Sequence, residues 1–187
     1  DTGAEALVYL INDRNYDEKN LKQSEWFYLP TEKDARAFLL NKFTDANEQT
    51  KKYIQGEWKD GKFIGLSLSG FYGDNFRLAF PYRDRSGTIT GFLKRATTSK
   101  GVTVKKKDKT FNNVRYDSSI GLSKKDLFNL WRYSNVKEVL LVEGYPDALY
   151  FHTLGINTIA VGQGALSTTH IEGLKVKGIK RVIISLD

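Results

Sequence analysis

The chain has 187 residues, no cysteine and two histidines, His152 and His170, which excludes a disulfide framework and any cysteine-ligated zinc site. Its 40% hydrophobic and 13% aromatic content belongs to a folded chain of one domain or two small subdomains, not to a disordered one. No apolar run approaches membrane length and no secretory segment opens the chain, so the expectation is cytoplasmic residence without a membrane partner.

The pattern divides into three segments, 1–62, 63–121 and 122–187. The first reads as helical: an apolar cluster from Ala4 to Ile11, a short helix near Asp17 to Ser24, and a longer one with Thr31 as N-cap and Asp34 in the capping-box position. Phe38, Leu39 and Phe43 are expected on the buried face of that longer helix. The second segment turns strand-like between Phe63 and Val114, and Asp84-Arg85-Ser86-Gly87 is a hairpin turn. Phe76, Leu78, Phe80 and Tyr82 alternate with Arg77, Ala79, Pro81 and Arg83, so a period of two predicts a buried aromatic face and a basic opposite face.

Charge is concentrated in that middle segment. Lys plus Arg exceed Asp plus Glu by seven (29 against 22), and from Arg77 to Arg115 there are eleven basic residues against Asp84 and Asp108 alone. Arg83, Arg85, Lys94 and Arg95, joined by Lys100, Lys105, Lys106, Lys107 and Lys109, could bind a phosphate backbone, with an affinity that falls steeply with salt. For the run Lys105 to Lys109 a solvated loop is the plainer expectation.

In the third segment a helix is expected from Leu122 through Trp131. The apolar strand Val139 to Val142 then stops at Glu143, turns at Gly144, and presents Asp147 as a helix begins. That helix runs to Leu154 and is capped by Gly155; Ile156 to Val161 form a strand; Gly162-Gln163-Gly164 turn; Ser167, Thr168 and Thr169 offer caps for a helix to about Val176; and Arg181 to Leu186 form a last strand ending on Asp187. This β-α-β-α-β order predicts a parallel sheet with ligands beyond the carboxyl ends of its strands, and an α/β fold class for the chain as a whole, its first part α+β. If the strands before Glu143 and Asp187 are parallel neighbours, three carboxylates share one edge. An acid in the first turn of a helix is ordinarily explained by the dipole alone, but gathered carboxylates repel one another unless a cation neutralises them, and hard oxygens suit magnesium.

These residues resemble a family. Glu143-Gly144-Tyr145-Pro146-Asp147, the following helix, strand, glycine turn, Ser-Thr-Thr-His170 helix start and strand ending in Asp are similar to the Toprim fold of bacterial-type, DnaG-like DNA primases. Upstream, Phe76 to Gly87 followed by Gly91-Phe92-Leu93-Lys94-Arg95 resembles the basic hairpin that precedes Toprim there, Ile120-Gly121-Leu122 resembles the link between them, and the N-terminal helices, a Trp26 to Pro30 strand and the Thr31 helix fall in the family's order. The resemblance implies the core of a DNA-directed RNA polymerase that makes RNA primers: an N-terminal helical part (1–62), a basic subdomain (63–121) and a partial Toprim domain (122–187). It implies metal-dependent nucleotidyl transfer with Glu143 as metal ligand or acid-base group, Asp147 and Asp187 as supporting ligands, and Mg2+ or Mn2+ as the cofactor. Arg77 and Arg95 fall in motifs that contact template or nucleotide, and Lys109 matches loosely a lysine before an aromatic-Asn element. The implied partners are single-stranded DNA, nucleoside triphosphates and a replicative helicase.

Two departures stand out. Pro146 replaces the family's usual methionine, a change suited to the first turn of a helix. The family's strand-terminal acid opens an Asp-x-Asp pair with further acids on the next strand, whereas this sequence stops at Asp187 and contains no methionine; the expectation is a fragment cut within the metal site, inactive in isolation and without the zinc module that opens such primases. Three rivals remain. Gly162-Gln163-Gly164 suggests a dinucleotide enzyme, although the third fingerprint position is Ser167. Another Toprim enzyme, a topoisomerase or nuclease, would lack the arginine hairpin. The third is a module that holds nucleic acid without catalysis.

Overall fold

Polar caps set the first helices. In the computed structural model, which describes residues 3–68, 72–73, 75–106, 109–119, 121–162 and 165–186, α1 (Ala4–Val8) continues into a π-helical turn, and α2 (Glu18–Gln23) begins where the Asp17 carboxylate accepts the Asn20 backbone N–H at 2.7 Å. A two-residue strand, β1 (Phe27–Tyr28), precedes α3 (Glu32–Lys42), which Thr31 caps through the Asp34 N–H. The face expected to be buried on α3 is not. Phe38 and Phe43 are 60% and 52% exposed, Leu39 is half-buried and Ala35 is buried instead. The helix docks through Arg36, whose guanidinium donates to the Ile54 and Leu66 carbonyls and lies over the Phe63 ring. Two of the three apolar side chains expected on the buried face therefore point to solvent. A further helix, α4 (Glu48–Gln55), begins at an Asn47 cap, and β2 (Glu57–Lys59) and β3 (Lys62–Ile64) pair as a hairpin.

The middle of the chain builds an antiparallel sheet. β4 (Leu78–Arg83) and β5 (Ile89–Arg95) are joined by the Asp84–Gly87 turn, in which Asp84 Oδ1 accepts from the Ser86 and Thr88 N–H groups. The ribbon β6 (Val102–Lys106) and β7 (Lys109–Val114) forms its own two-stranded sheet, and β8 (Tyr116–Ser118) returns to β5, giving the order β1-β4-β5-β8. The predicted one-sided burial of β4 is corrected, because Leu78, Ala79, Phe80, Pro81 and Tyr82 are all buried. Ala79 and Pro81 are register partners of Phe27 and of Phe92, whose rings stack edge to face at 5.4 Å, so the second face packs rather than presenting arginines.

Residues 122–129 do not form the expected helix. Phe128 bridges antiparallel to Ala160 with hydrogen bonds of 3.0 and 3.1 Å, and the left-handed Asn129 leaves room only for a 3-10 turn at Leu130–Arg132. Tertiary pairing here overrides local helical propensity.

The remainder follows the predicted order: β9 (Glu138–Val142), α5 (Tyr145–Thr153), β10 (Thr158–Ala160), α6 (Thr168–Val176) and β11 (Arg181–Ser185). Both β10 and β11 pair parallel to β9, in the order β10-β9-β11. The main core ignores the segment boundary near residue 121. Phe80, Tyr82 and Leu93 pack with Phe128, Val142, Tyr145, Ala148 and Ala160, and the Tyr145 ring contacts Phe80, Tyr82, Tyr116 and Phe128. Fully burying such a side chain stabilises by about 1.5–3 kcal/mol, which ties the antiparallel and parallel sheets into one body. No helix among the described residues is long and apolar enough to cross a membrane.

Candidate active site

The acidic edge is created by how β9 stops. Leu140, Leu141 and Val142 pair with both neighbours; at Glu143 the chain turns, and the Glu143 carbonyl accepts the Gly162 N–H at 3.0 Å, pinning this turn to the residue two past the end of β10, while Gln163 and Gly164 of the predicted glycine turn lie outside the described residues. Gly162 has φ +71°, and a methyl group there would strike the Tyr145 hydroxyl, so the close approach requires glycine. The Glu143 side chain is exposed and has no hydrogen bond or ion pair among the described residues. Gly144 caps α5, Pro146 stands in its first turn, where a missing N–H costs nothing, and Asp147 follows, its carboxylate folded back so closely that a methyl on Gly144 would run into Oδ2.

The N-terminal segment braces this turn. Arg14 reaches Asp147 at 3.8 Å, with side-chain exposures of 28% and 47%, a loose and solvent-screened pair. Tyr16 donates to the Pro146 carbonyl at 3.4 Å, accepts from Trp26 Nε1 at 3.1 Å, and stacks edge-on against Tyr150; burial pushes its hydroxyl up to about 12. Sequence reasoning singled out neither Arg14 nor Tyr16, because nothing local marks residues whose partners lie more than a hundred positions away.

β11 is the direct parallel neighbour of β9, with Ser185 paired to Val142, so its carboxyl end lies beside the Glu143 turn. Asp187 itself falls outside the described residues. Among the described residues no group of three metal-ligating side chains assembles; the acids of this edge are Glu143 and Asp147. An unpaired exposed glutamate beside an aspartate at a helix N-terminus is a hard-oxygen set of the size magnesium takes, since that ion is held by one or two carboxylates and keeps its waters. The donors present fit Mg2+ or Mn2+.

Of the predicted cations, Arg77, Arg83, Arg85, Lys94, Arg95 and Lys109 are not gathered on one free surface. Arg83 pairs with Glu25 at 3.4 Å and lies over Trp131, while Arg132 takes the same glutamate at 2.5 Å. Arg85 is held by Asp126 through Nε at 2.7 Å and through its backbone N–H at 2.9 Å. Lys94 pairs with Asp117 at 2.8 Å. Arg95, 4% exposed, donates to the Tyr9 hydroxyl and is sandwiched by Tyr9 and Tyr116, on the aromatic side of the sheet. Arg77 lies over Tyr28 and donates to the Leu29 carbonyl, and its Nη2 is buried without a partner among the described residues. Lys109 stands exposed on the β6–β7 ribbon.

No protein-family model matches the sequence, and no curated protein matches it. Solved structures do. The zinc-binding and RNA polymerase domains of the Aquifex aeolicus primase superpose with a TM-score of 0.61 at 25% identity, over 98% of this chain and 43% of that one. The RNA polymerase domain of Mycobacterium tuberculosis primase DnaG gives 0.62 at 19% identity, over 98% and 59%, and a DnaG primase catalytic domain bound to single-stranded DNA gives 0.57 at 21%, over 98% and 56%. The chain has the fold of a bacterial primase RNA polymerase domain. It spans about half the length of these solved chains, and the match, over 98% of this chain, runs through the antiparallel sheet, the Glu143 turn and the β10-β9-β11 sheet together.

Proposed function

We propose that this chain is part of the catalytic core of a bacterial-type DNA primase, a cytoplasmic, DNA-directed RNA polymerase that makes RNA primers on single-stranded DNA during replication. In this reading residues 1–62 and 63–121 form the helical and basic parts of the core, and 122–187 the first part of a Toprim domain. The observation that carries it is the parallel pairing of β9 with β11, which brings the end of β11 beside the Glu143 turn on a chain whose fold is matched over 98% of its length by primase structures.

Glu143, Asp147 and Asp187 would hold Mg2+ or Mn2+. The ion, when bound, would neutralise charge developing on the α-phosphate of a nucleoside triphosphate and lower the pKa of the attacking 3′-hydroxyl. Glu143 contributes an unpaired exposed carboxylate at a fixed turn. Asp147 is aimed by its fold over Gly144 and by Arg14. Among the cations, the exposed Lys109 would meet template or nucleotide phosphates, whereas Arg77, Arg83, Arg85, Lys94 and Arg95 hold the sheet in shape through Leu29, Glu25, Asp126, Asp117 and Tyr9. A replicative helicase would act as partner of the full-length protein.

The test is Glu143→Gln in the full-length protein. The expected result is loss of primer synthesis with template affinity nearly unchanged; primer yield at the wild-type level would remove Glu143 from the chemistry.

A further inference from the structure

The β6–β7 ribbon and the β8 edge of the antiparallel sheet border an open cavity of about 270 Å³ lined by Phe76, Val104, Phe111, Val114, Tyr116 and Asp117. The ribbon's sequence alternation explains both of its sides. Val102 and Val104 are half-buried while Thr103 and Lys105 are exposed. Val104 pairs with Phe111 and Val102 with Val114; Val104, Phe111 and Val114 line the cavity, and the opposite face is left to Lys105 and Thr110. A register shift between Val102 and Val104, opposite the left-handed Asn113 at φ +57°, twists the ribbon as a bulge does.

The cavity is lined by three aromatic side chains, Phe76, Phe111 and Tyr116, and Phe111 remains 45% exposed at its mouth. It is slightly smaller than a pocket for a drug-sized ligand, roughly 300–1,000 Å³, which suits a single heterocycle rather than a whole nucleotide. The one acid of the lining, Asp117, is paired with Lys94, and between positions 100 and 115 the sequence carries six Lys or Arg against Asp108 alone. Unlike the cations of the main sheet, Lys100, Lys105 and Lys109 are exposed and form no ion pair among the described residues.

Unsatisfied positive charge beside an aromatic-lined slot is the chemistry that binds single-stranded nucleic acid, with phosphates tracked by lysines and a base stacked on a ring. A duplex offers the same phosphates but keeps its bases stacked inside. We infer that the ribbon and its cavity form a subsite for one unpaired base of single-stranded nucleic acid, stacked on Phe111, with a flanking phosphate on Lys109, which alternates onto the same side of β7 as Phe111. The inference takes the nucleic-acid partner from the proposed function and makes no use of the acids, so an active Glu143→Gln protein would leave it standing.

Fluorescence anisotropy on the 187-residue chain tests it with three probes: a labelled thymidine 12-mer, an abasic strand of equal length and a 12-base-pair duplex. On the unaltered protein the thymidine strand should bind about tenfold more tightly than the abasic strand, and more tightly than the duplex. Phe111→Ala should remove that preference and Phe111→Trp restore it, with binding of the abasic strand the same in both. Lys109→Gln should reduce the slope of log affinity against log salt by about 0.7, and Lys105→Gln, on the opposite face of the ribbon, by less. Equal affinity of the unaltered chain for the thymidine and abasic strands, or duplex binding as tight as single-strand binding, would overturn the subsite without recourse to any variant.

Discussion

Replacing Arg85 separates a structural cation from one that contacts nucleic acid. Asp126 is 7% exposed and accepts two hydrogen bonds from Arg85, one from Nε at 2.7 Å and one from the backbone N–H at 2.9 Å, which docks the Asp84–Gly87 turn against the extended 122–129 segment. Arg85→Gln removes the first bond and leaves the second. Breaking a fully buried ion pair costs about 3–5 kcal/mol, but the Arg85 side chain is 33% exposed and the carboxylate keeps its backbone donor, so the value of one hydrogen bond to a charged group, about 2 kcal/mol, is the better figure. For a chain of this length that lowers Tm by roughly 4–8 °C. Circular-dichroism melting should show this shift, while anisotropy with a thymidine 12-mer should change less than about twofold, the order of a single screened charge removed from the surface. A tenfold loss of affinity with an unchanged melting curve would show that Arg85 works on phosphate and that its bond to Asp126 is incidental.

Further outcomes follow from single contacts. Gly144 has φ −80° and ψ 132°, which any residue adopts, so Gly144→Ala should change stability by less than about 0.5 kcal/mol while displacing the Asp147 carboxylate, and primer synthesis by the full-length protein should drop; full activity would mean that the aim of Asp147 is immaterial. His152 Nδ1 shares a hydrogen bond of 3.0 Å with the Tyr133 hydroxyl, which itself accepts the Thr158 N–H, and burial, then the charge of Arg132, holds the imidazole below its ordinary 6.5. The unfolded chain therefore takes up this proton first, so stability is complete above pH 6.5 and is lost as the pH falls through the lowered folded-state value; the drop in Tm between pH 7.5 and 5.5 should shrink in His152→Gln, and an identical drop would exclude His152 as its source. The outer edge of β11 is unpaired among the described residues, and Ile183 and Ile184 are 46% and 61% exposed. Ile184→Lys should reduce concentration-dependent light scattering, and an unaltered chain that scatters as a monomer at every concentration would refute that.

Where a structural signal is local, the sequence carries it. The caps at Asp17, Thr31 and Ser167 form as their residue types demand, Asp84–Gly87 closes its hairpin, and two apolar strands separated by a helix, a strand and a second helix pair in parallel because right-handed crossovers leave few alternatives. What failed was decided elsewhere in the chain. The helix expected over 122–131 lost to an edge pairing with Ala160, and the face of α3 was set by Arg36 reaching the backbone of residues 54 and 66. The expected basic face dissolved because Glu25, Asp126 and Tyr9, lying 58, 41 and 86 positions from Arg83, Arg85 and Arg95, claim those side chains. No periodicity encodes such partners.

The distribution of paired and unpaired charge bears directly on function. Taking a cation out of water costs several kcal/mol unless a partner meets it, so Lys94 and Arg95, at 8% and 4% exposure, need Asp117 and Tyr9 for the sheet to fold at all. Residues spent in this way have little charge left to offer a polyanion. Charge available to a substrate must lie where solvent already pays the desolvation, on a strand-end turn or on a ribbon outside the core, and Glu143, Lys105 and Lys109 occupy those places. By this argument a Lys109→Gln substitution on the ribbon should weaken single-strand binding more than Lys94→Gln in the sheet, although the sheet lysine lies in the segment that resembles the basic hairpin of the primases. Anisotropy titrations of the two variants at one salt concentration decide it, and the reverse order would return the basic sheet to the role of template surface.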